Sequence, residues 1–193
     1  MSASPLKTDQ ELVRNALADR HAFAALVTKY EAPLRRYVKR LGINSAEDAD
    51  DVLQEAFIKA YVNLNDYDPS LPFGAWMYRI THNESISLFR KQRVRPHTVE
   101  TEEELVIFEN IADATDIHAE IDKKLLKVAV HKALAGIGEQ YRSVLVLRFL
   151  EEKSYDEIAD ILQIPSGTVA TYISRGKREL KDSLLKEFIS TDV

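Results

Sequence analysis

The chain has 193 residues, 45% of them hydrophobic, and a formal net charge of −5, which allows one domain or two small ones. It has no cysteine, and its five histidines (His21, His82, His97, His118, His131) include no His-x-x-x-His pair, which excludes disulfides, thiolate metal sites and a helical zinc pair. No run of 18 apolar residues occurs, and Met1-Ser-Ala-Ser-Pro-Leu is not a basic region leading into an apolar one, so neither membrane insertion nor secretion is expected and a cytoplasmic location is.

The charge is unevenly placed. Residues 1–71 hold 9 basic and 11 acidic side chains, residues 72–95 hold 5 and 1, residues 96–122 hold 0 and 9, and residues 123–193 hold 12 and 10. One acidic segment hides two basic ones, and local patches matter more than the total for phosphate contact.

The first half reads as helices. Thr8 and Glu11 form a capping box for a short helix with Leu12, Val13, Ala16 and Leu17. A longer helix spans about Arg20 to Leu41, with Phe23, Leu26, Val27, Tyr30, Leu34, Tyr37, Val38 and Leu41 inward, Pro33 as a possible kink point and Gly42 as the stop. Ser45 caps a third helix to about Leu64, with acids in its first turns. Its apolar stripe is Val52, Leu53, Ala56, Phe57, Ala60, Tyr61 and Leu64, and its polar side carries Asp48, Asp51, Gln54, Glu55 and Lys59. Residues 65–72 are a turn-rich loop. A fourth helix runs from about Phe73 to Arg93. Phe73, Trp76, Met77 and Ile80 share one arc, while Arg79, Asn83 and Arg90 fall within about 40° of one another on a second. It ends in the basic run Arg90-Lys-Gln-Arg-Val-Arg95, more cations than a helix C-terminus needs.

Residues 96–122 read as an acidic linker, although Ile107, Phe108, Ile111 and Ile117 are too apolar for a pure spacer. Helical periodicity resumes near Ile121 with Leu125, Val128, Ala129 and Leu134. After Gly136-Ile-Gly138 a further helix holds Tyr141, Val144, Leu145 and Leu147 to Leu150. Ser154 and Glu157 cap the next, whose stripe is Tyr155, Ile158, Ala159 and Leu162. Pro165 breaks the pattern, and a last helix carries Val169, Ile173, Gly176 and Leu180 on one face and Thr168, Thr171, Ser174, Arg175, Lys177 and Arg178 on the others. This is a helix-turn-helix, whose second helix suits the major groove with its first residues towards base edges. A helical hairpin with a merely solvated face is the plainer alternative. No strand alternation is present.

Three motifs, in this order, resemble the sigma factors of bacterial RNA polymerase, of the extracytoplasmic-function (ECF) type that has only sigma regions 2 and 4. Asp50-Asp-Val-Leu-Gln-Glu-Ala-Phe-Ile-Lys-Ala-Tyr61 resembles the polymerase-binding helix. Phe73-Gly-Ala-Trp-Met-Tyr-Arg-Ile-Thr-His-Asn83 resembles the helix that melts and reads the −10 element. Ile164-Pro-Ser-Gly-Thr-Val169 with Ser174-Arg-Gly-Lys-Arg178 resembles the −35 reading helix. The resemblance implies an all-α chain of two small helical domains, residues 1–95 (region 2) and 123–193 (region 4), joined by the linker 96–122. It implies binding to core RNA polymerase and promoter DNA, control by an anti-sigma factor, no cofactor, no metal and no catalytic residue. Asp51, Gln54, Glu55 and Lys59 are expected on polymerase; Tyr67, Arg79, Asn83, Arg90, Lys91 and Arg93 at the −10 element; Ser166, Thr168, Thr171, Ser174, Arg175 and Arg178 at the −35 element. Trp76 and Phe73 belong with the core arc.

The chain departs from the family at Ala170 and Tyr172, where basic residues are common, at Ser87, where aspartate is usual, and at Gly74, where a larger residue is common. Base preference therefore does not transfer from relatives. Two rival classes remain. The spacing of Glu47, Asp48, Asp51 and Glu55 resembles the Mg²⁺-binding helix of all-α nucleotide pyrophosphatases, but such a site needs a second acidic helix, and no other helix of this half pairs its acids that way. A response regulator shares the terminal helix-turn-helix but needs a receiver domain with strands.

Overall fold

The computed structural model describes residues 8–94, 130 and 132–191, with side chains placed up to Gln92 in the first segment and up to Leu185 in the last. Among the described residues there are helices and turns and no strand. The expected linker and most of the helix expected after Ile121 lie outside them; of that helix, residues 132–136 are helical.

The first half is four helices. Helix α1 (Asp9–Ala18) opens on the Thr8 capping box, with Glu11 N–H donating to Thr8 Oγ1 at 3.3 Å and Thr8 N–H to Glu11 Oε2 at 2.9 Å. Asp19 then caps one 3-10 turn, Arg20–Ala22, so α2 (Phe23–Arg40) begins later than its periodicity suggests. It runs through Pro33 and stops where Gly42 takes φ +104°, a left-handed conformation that glycine adopts without steric cost. Helix α3 (Ala46–Val62) starts on Ser45, which accepts from the Asp48 N–H, and its continuation to Leu64 is a 3-10 turn. Helix α4 (Phe73–Val94) closes the group. Leu26, Leu34, Tyr37 and Val38 of α2 are buried in one cluster with Val52 and Leu53 of α3 and Phe73 and Met77 of α4. Two side chains expected inward are exposed: Leu17 is 50% exposed, and Tyr61 is 40% exposed and lies edge-on to Phe23. Gly74 has a local cause. A Cβ there would stand 3.3 Å from Tyr30 Oη, the hydroxyl that donates to Asp9 Oδ2 at 2.7 Å.

The second half is α5 (Glu139–Leu145), which widens into a π-helical turn over Val146–Leu150, then α6 (Tyr155–Leu162) and α7 (Ser166–Thr191). The Ser154–Glu157 capping box is present. Gln163 at φ 53° makes the turn between α6 and α7. The inward stripe of α6 is rotated from the expected one: Ile158 and Ile161 are fully buried, while Tyr155 is 43% exposed under the Arg148 guanidinium. Val169 and Ile173 of α7 are buried as expected, and Gly176 lets α7 approach α5, since a Cβ there would lie 3.2 Å from Leu145 and Tyr141 atoms. Phe149 and Leu150, expected within their helix pattern, stay half exposed past the π turn. The two halves are packed together through α4 and α6.

Two stability predictions arise here. Gly176→Val should cost about 1–3 kcal/mol by overpacking α7 against α5, read as a lowered urea midpoint of the second half. His82 is buried with Nδ1 3.0 Å from Tyr37 Oη, and burial pushes its pKa down to about 4. Between pH 4 and 6.5 the unfolded chain then binds more protons than the folded one, so stability is complete above about pH 6.5 and falls as pH drops towards 4, by up to about 3 kcal/mol. Urea titrations across that range should slope less for His82→Gln than for the parent chain.

Candidate functional site

Three surfaces carry the residues singled out from the sequence. On α3, Val52, Leu53, Ala56 and Ala60 are no more than 4% exposed, whereas Asp51, Gln54, Glu55 and Lys59 face outward. The side chains of Asp51, Gln54 and Glu55 make no hydrogen bond or ion pair among the described residues. Their neighbours differ: Asp48 accepts from Gln92 at 3.0 Å and Asp50 pairs with Arg35. Lys59 stands 2.7 Å from Glu84 of α4. Ile58 and Val62, which the sequence stripe did not single out, are 47% and 67% exposed and continue the same outward face.

The second surface is α4. Asn83 is exposed and lines a cleft of about 440 Å³ with Lys59, Asn63, Trp76, Ile80 and Glu84. Asn63, Ile80 and Glu84 were not foreseen; Asn63 could have been found one turn beyond Lys59 on α3. Arg90 and Lys91 are exposed, and the Arg93 side chain lies outside the described part. Trp76 and Phe73 are 6% and 2% exposed, in the core as expected. Tyr67, expected at the −10 element, does not present an open ring there. It is 7% exposed, packed on Phe73 and Trp76, and donates its hydroxyl hydrogen bond to Leu71 O. A loop position did not leave the ring in solvent, because the loop folds back over the start of α4. Arg79 also departs from the free stripe: its Nη1 is 3.0 Å from Asp160 Oδ1 on α6.

The third surface is the start and outer face of α7. Ser166, Thr171, Ser174, Arg175 and Arg178 are exposed and Thr168 is half-buried. Thr171 Oγ1 donates to Gly167 O at 3.0 Å, so its hydroxyl proton is committed and its free capacity is as an acceptor. Ala170 is exposed at the front, and Tyr172 lies edge-on to Tyr141 at 5.5 Å. Lys177 sits 4.8 Å from the Phe149 ring centre.

Between the halves, Arg40 Nη1 donates to Glu151 Oε1 at 2.7 Å and to Leu150 O at 2.6 Å, and Tyr78 Oη donates to Glu151 Oε2 at 2.6 Å. Burial and the Glu151 carboxylate push the Tyr78 hydroxyl well above its ordinary range. Lys153 Nζ lies 4.5 Å from the Tyr78 ring centre, and Arg142 Nη1 donates to Leu41 O at 2.8 Å. No group of three or more His, Asp or Glu side chains is gathered closely enough to hold a metal ion among the described residues, and no described helix is long and apolar enough to cross a membrane.

Residues 26–95 match the family described as Sigma-70 region 2, and residues 127–180 match Sigma-70, region 4. The chain is 32% identical over 170 residues to the ECF RNA polymerase sigma factor SigW of Bacillus subtilis strain 168, covering 86% of this chain and 90% of that one. It is 34% identical over 181 residues to the RNA polymerase sigma-H factor of Pseudomonas aeruginosa, covering 91% and 93%. Among solved structures it resembles CnrH in complex with the cytosolic domain of CnrY, with a TM-score of 0.66, 27% identity and coverage of 91% and 96%.

Proposed function

This chain belongs to the ECF group of the sigma-70 family and acts in transcription initiation; from that premise we propose how its helices divide the work. The observation that carries the proposal is the outward face of α3. Its opposite face is already buried in the core, so Asp51, Gln54 and Glu55 contribute nothing to folding that a solvated polar residue would not. An acidic face rimmed by exposed Ile58 and Val62 suits a basic partner surface with an apolar border, which is how this helix docks on core RNA polymerase. Lys59 contributes from the end of the same face.

Helix α4 and its cleft act at the −10 element. Opening a promoter requires a base to leave the stack, at a cost of a few kcal/mol. A pocket that stacks and hydrogen-bonds the extruded base offsets that cost, with stacking worth about 1–3 kcal/mol per base. Asn83 supplies amide donors and an acceptor for a base edge, and Ile80 with the edge of Trp76 supplies the apolar wall. Arg90, Lys91 and Arg93 hold the backbone phosphates, and Arg79 joins them once released from Asp160. Tyr67 supports the cleft from within the core.

The front of α7 acts at the −35 element, with Ser166, Thr168 and Thr171 towards base edges and Ser174, Arg175 and Arg178 towards phosphate. Thr171 accepts rather than donates. The chain performs no catalysis itself; polymerase supplies the chemistry, in the cytoplasm. CnrH, which it resembles, is found with a cytosolic protein domain, and an anti-sigma factor is accordingly the regulator expected for this chain.

Two mutational outcomes test this division. Joint replacement of Gln54→Ala and Glu55→Lys should weaken binding to core polymerase at least tenfold while shifting stability by no more than about 0.5 kcal/mol, as surface changes do. Surface-immobilised core enzyme and thermal melting give the two readings, and undiminished affinity would remove α3 from the interface. Asn83→Ala should reduce permanganate-reactive, melted promoter while leaving duplex −35 binding intact. Arg178→Ala should weaken −35 binding alike for all sequences and lower its salt slope by about one unit. Loss of duplex −35 affinity in Asn83→Ala with normal melting would reverse the assignment of the two helices.

A further inference from the structure

We propose that the front of α7 reads an A·T base pair by close contact. Ala170 lies against the thymine methyl, Thr171 accepts from the adenine amino group, and Gly167 lets the helix come near enough for both. The inference rests on the reading of α7 as the −35 helix and names what that helix selects.

Helical period defines the outward face of α7. Val169, Ile173 and Gly176 are buried. At about 100° per residue, the face opposite them carries Gly167, Ala170, Thr171, Ser174 and Arg178, all exposed. No cation stands in the turns that lead this face into the groove. Arg175 and Arg178 lie about 12 and 16 Å further along the axis than Gly167, at ~1.5 Å per residue, where the same reading places them at phosphate. Lys177 is held over the Phe149 ring, and Tyr172 is turned edge-on to Tyr141. Bidentate reading of guanine needs a guanidinium or ammonium at its N7 and O6, which the leading turns do not mount.

Gly167 serves no packing need of the chain. A Cβ there would meet no atom within 4 Å, whereas one at Gly176 would press on Leu145 and Tyr141. Nor is its backbone in the left-handed region, which Gly42 alone of the described glycines enters. Alanine stabilises a helix more than glycine does, so the fold gains nothing from the missing side chain. A bare backbone does permit close approach to a ligand. With Ala170 one turn behind Gly167, the helix offers the groove a hydrogen and a methyl group, with no bulk to hold it off.

The chain itself fixes the direction of the hydrogen bond. Thr171 Oγ1 donates its proton to Gly167 O at 3.0 Å, which leaves only its lone pairs for a base. In the major groove the base donors are adenine N6 and cytosine N4, while guanine N7 and O6 and thymine O4 only accept. The adjacent Ala170 side chain is a methyl group, whose favourable partner in the groove is the thymine methyl. An A·T pair offers the amino group and the methyl on one edge; a C·G pair offers the amino group alone. Ala170, where the family commonly has a basic residue, makes this preference the chain's own.

The test uses the full chain bound to core polymerase and selection from a pool of random duplexes. The parent should select sites with one invariant A·T pair in the upstream element. Replacing its thymine by deoxyuridine, which removes only the methyl, should weaken binding about threefold for the parent and not for Ala170→Gly. Ala170→Arg should convert the selected pair to G·C. Thr171→Val keeps the shape and loses the acceptor, and should weaken binding about threefold, whereas Thr171→Ser should not. Gly167→Ala should melt no lower than the parent by circular dichroism, yet bind the selected duplex about tenfold more weakly. A guanine selected at that pair by the parent, a deoxyuridine effect that persists in Ala170→Gly, or full binding by Gly167→Ala overturns the proposal. Arg178→Ala separates this from failure of the underlying reading. If it and every substitution above leave affinity and selected sequence unchanged, α7 is not on the DNA and the −35 assignment fails. If it weakens binding while Ala170→Arg leaves the selected base unchanged, the −35 assignment stands and the base reading is overturned.

Discussion

The structure depends on how completely α4 is enclosed. Phe73, Ala75, Trp76, Met77, Tyr78, Thr81, His82 and Ser85 are all 9% exposed or less, which leaves little of the circumference over the first three turns. Burying hydroxyls and an imidazole there is tolerable only because each finds a partner. Thr81 donates to Met77 O and Ser85 to Thr81 O, both at 2.9 Å, and His82 meets Tyr37 at 3.0 Å. A helix held from several sides cannot roll, so the arc left to Asn83, Ser87, Arg90 and Lys91 has a defined direction. A reading surface needs that rigidity, because a contact misplaced by an ångström loses most of its discrimination.

Electrostatics assigns the remaining surfaces. Acids that the fold needs are occupied: Asp9 by Lys29 and Tyr30, Asp50 by Arg35, Glu84 by Lys59, Glu151 by Arg40 and Tyr78. Asp51, Gln54 and Glu55 instead lie unpaired together on one face of α3. Exposed pairs contribute at most about 1 kcal/mol. The enclosed Glu151 cluster is different in kind, since removing one partner from a buried pair costs about 3–5 kcal/mol. Such a pair adds little net stability when formed, yet it strongly penalises any arrangement that leaves one partner behind.

The helix-turn-helix follows a separate logic. Its core is small, Ile158, Ile161, Val169 and Ile173 with Val144, Leu145, Val146 and Leu147, and its close packing hangs on the bare backbone of Gly176 beside Leu145 and Tyr141. The left-handed Gln163 and the following Pro165 set the turn. The result presents the polar front of α7 without drawing any of its arginines into the core.

Read alone, the sequence determined the helices and their caps: Thr8, Ser45 and Ser154 begin helices where expected, and Gly42 ends one, because caps and glycine act through bonds within a few residues. The α3 face and the exposed arc of α4 were legible for the same reason, since helical period relates residues of a single element. Tertiary structure decided the rest. The rotation of α6 that buries Ile161 and frees Tyr155 depends on which neighbour the helix meets, which its own period does not specify. Tyr67 looks open in a polar loop and is enclosed only because that loop returns over Phe73 and Trp76. The contacts of Glu151 with Arg40 and Tyr78, and of Asp160 with Arg79, join residues 73 to 111 positions apart. No local pattern encodes pairs so distant; they exist because two separately amphipathic halves had charged rims to match once brought together.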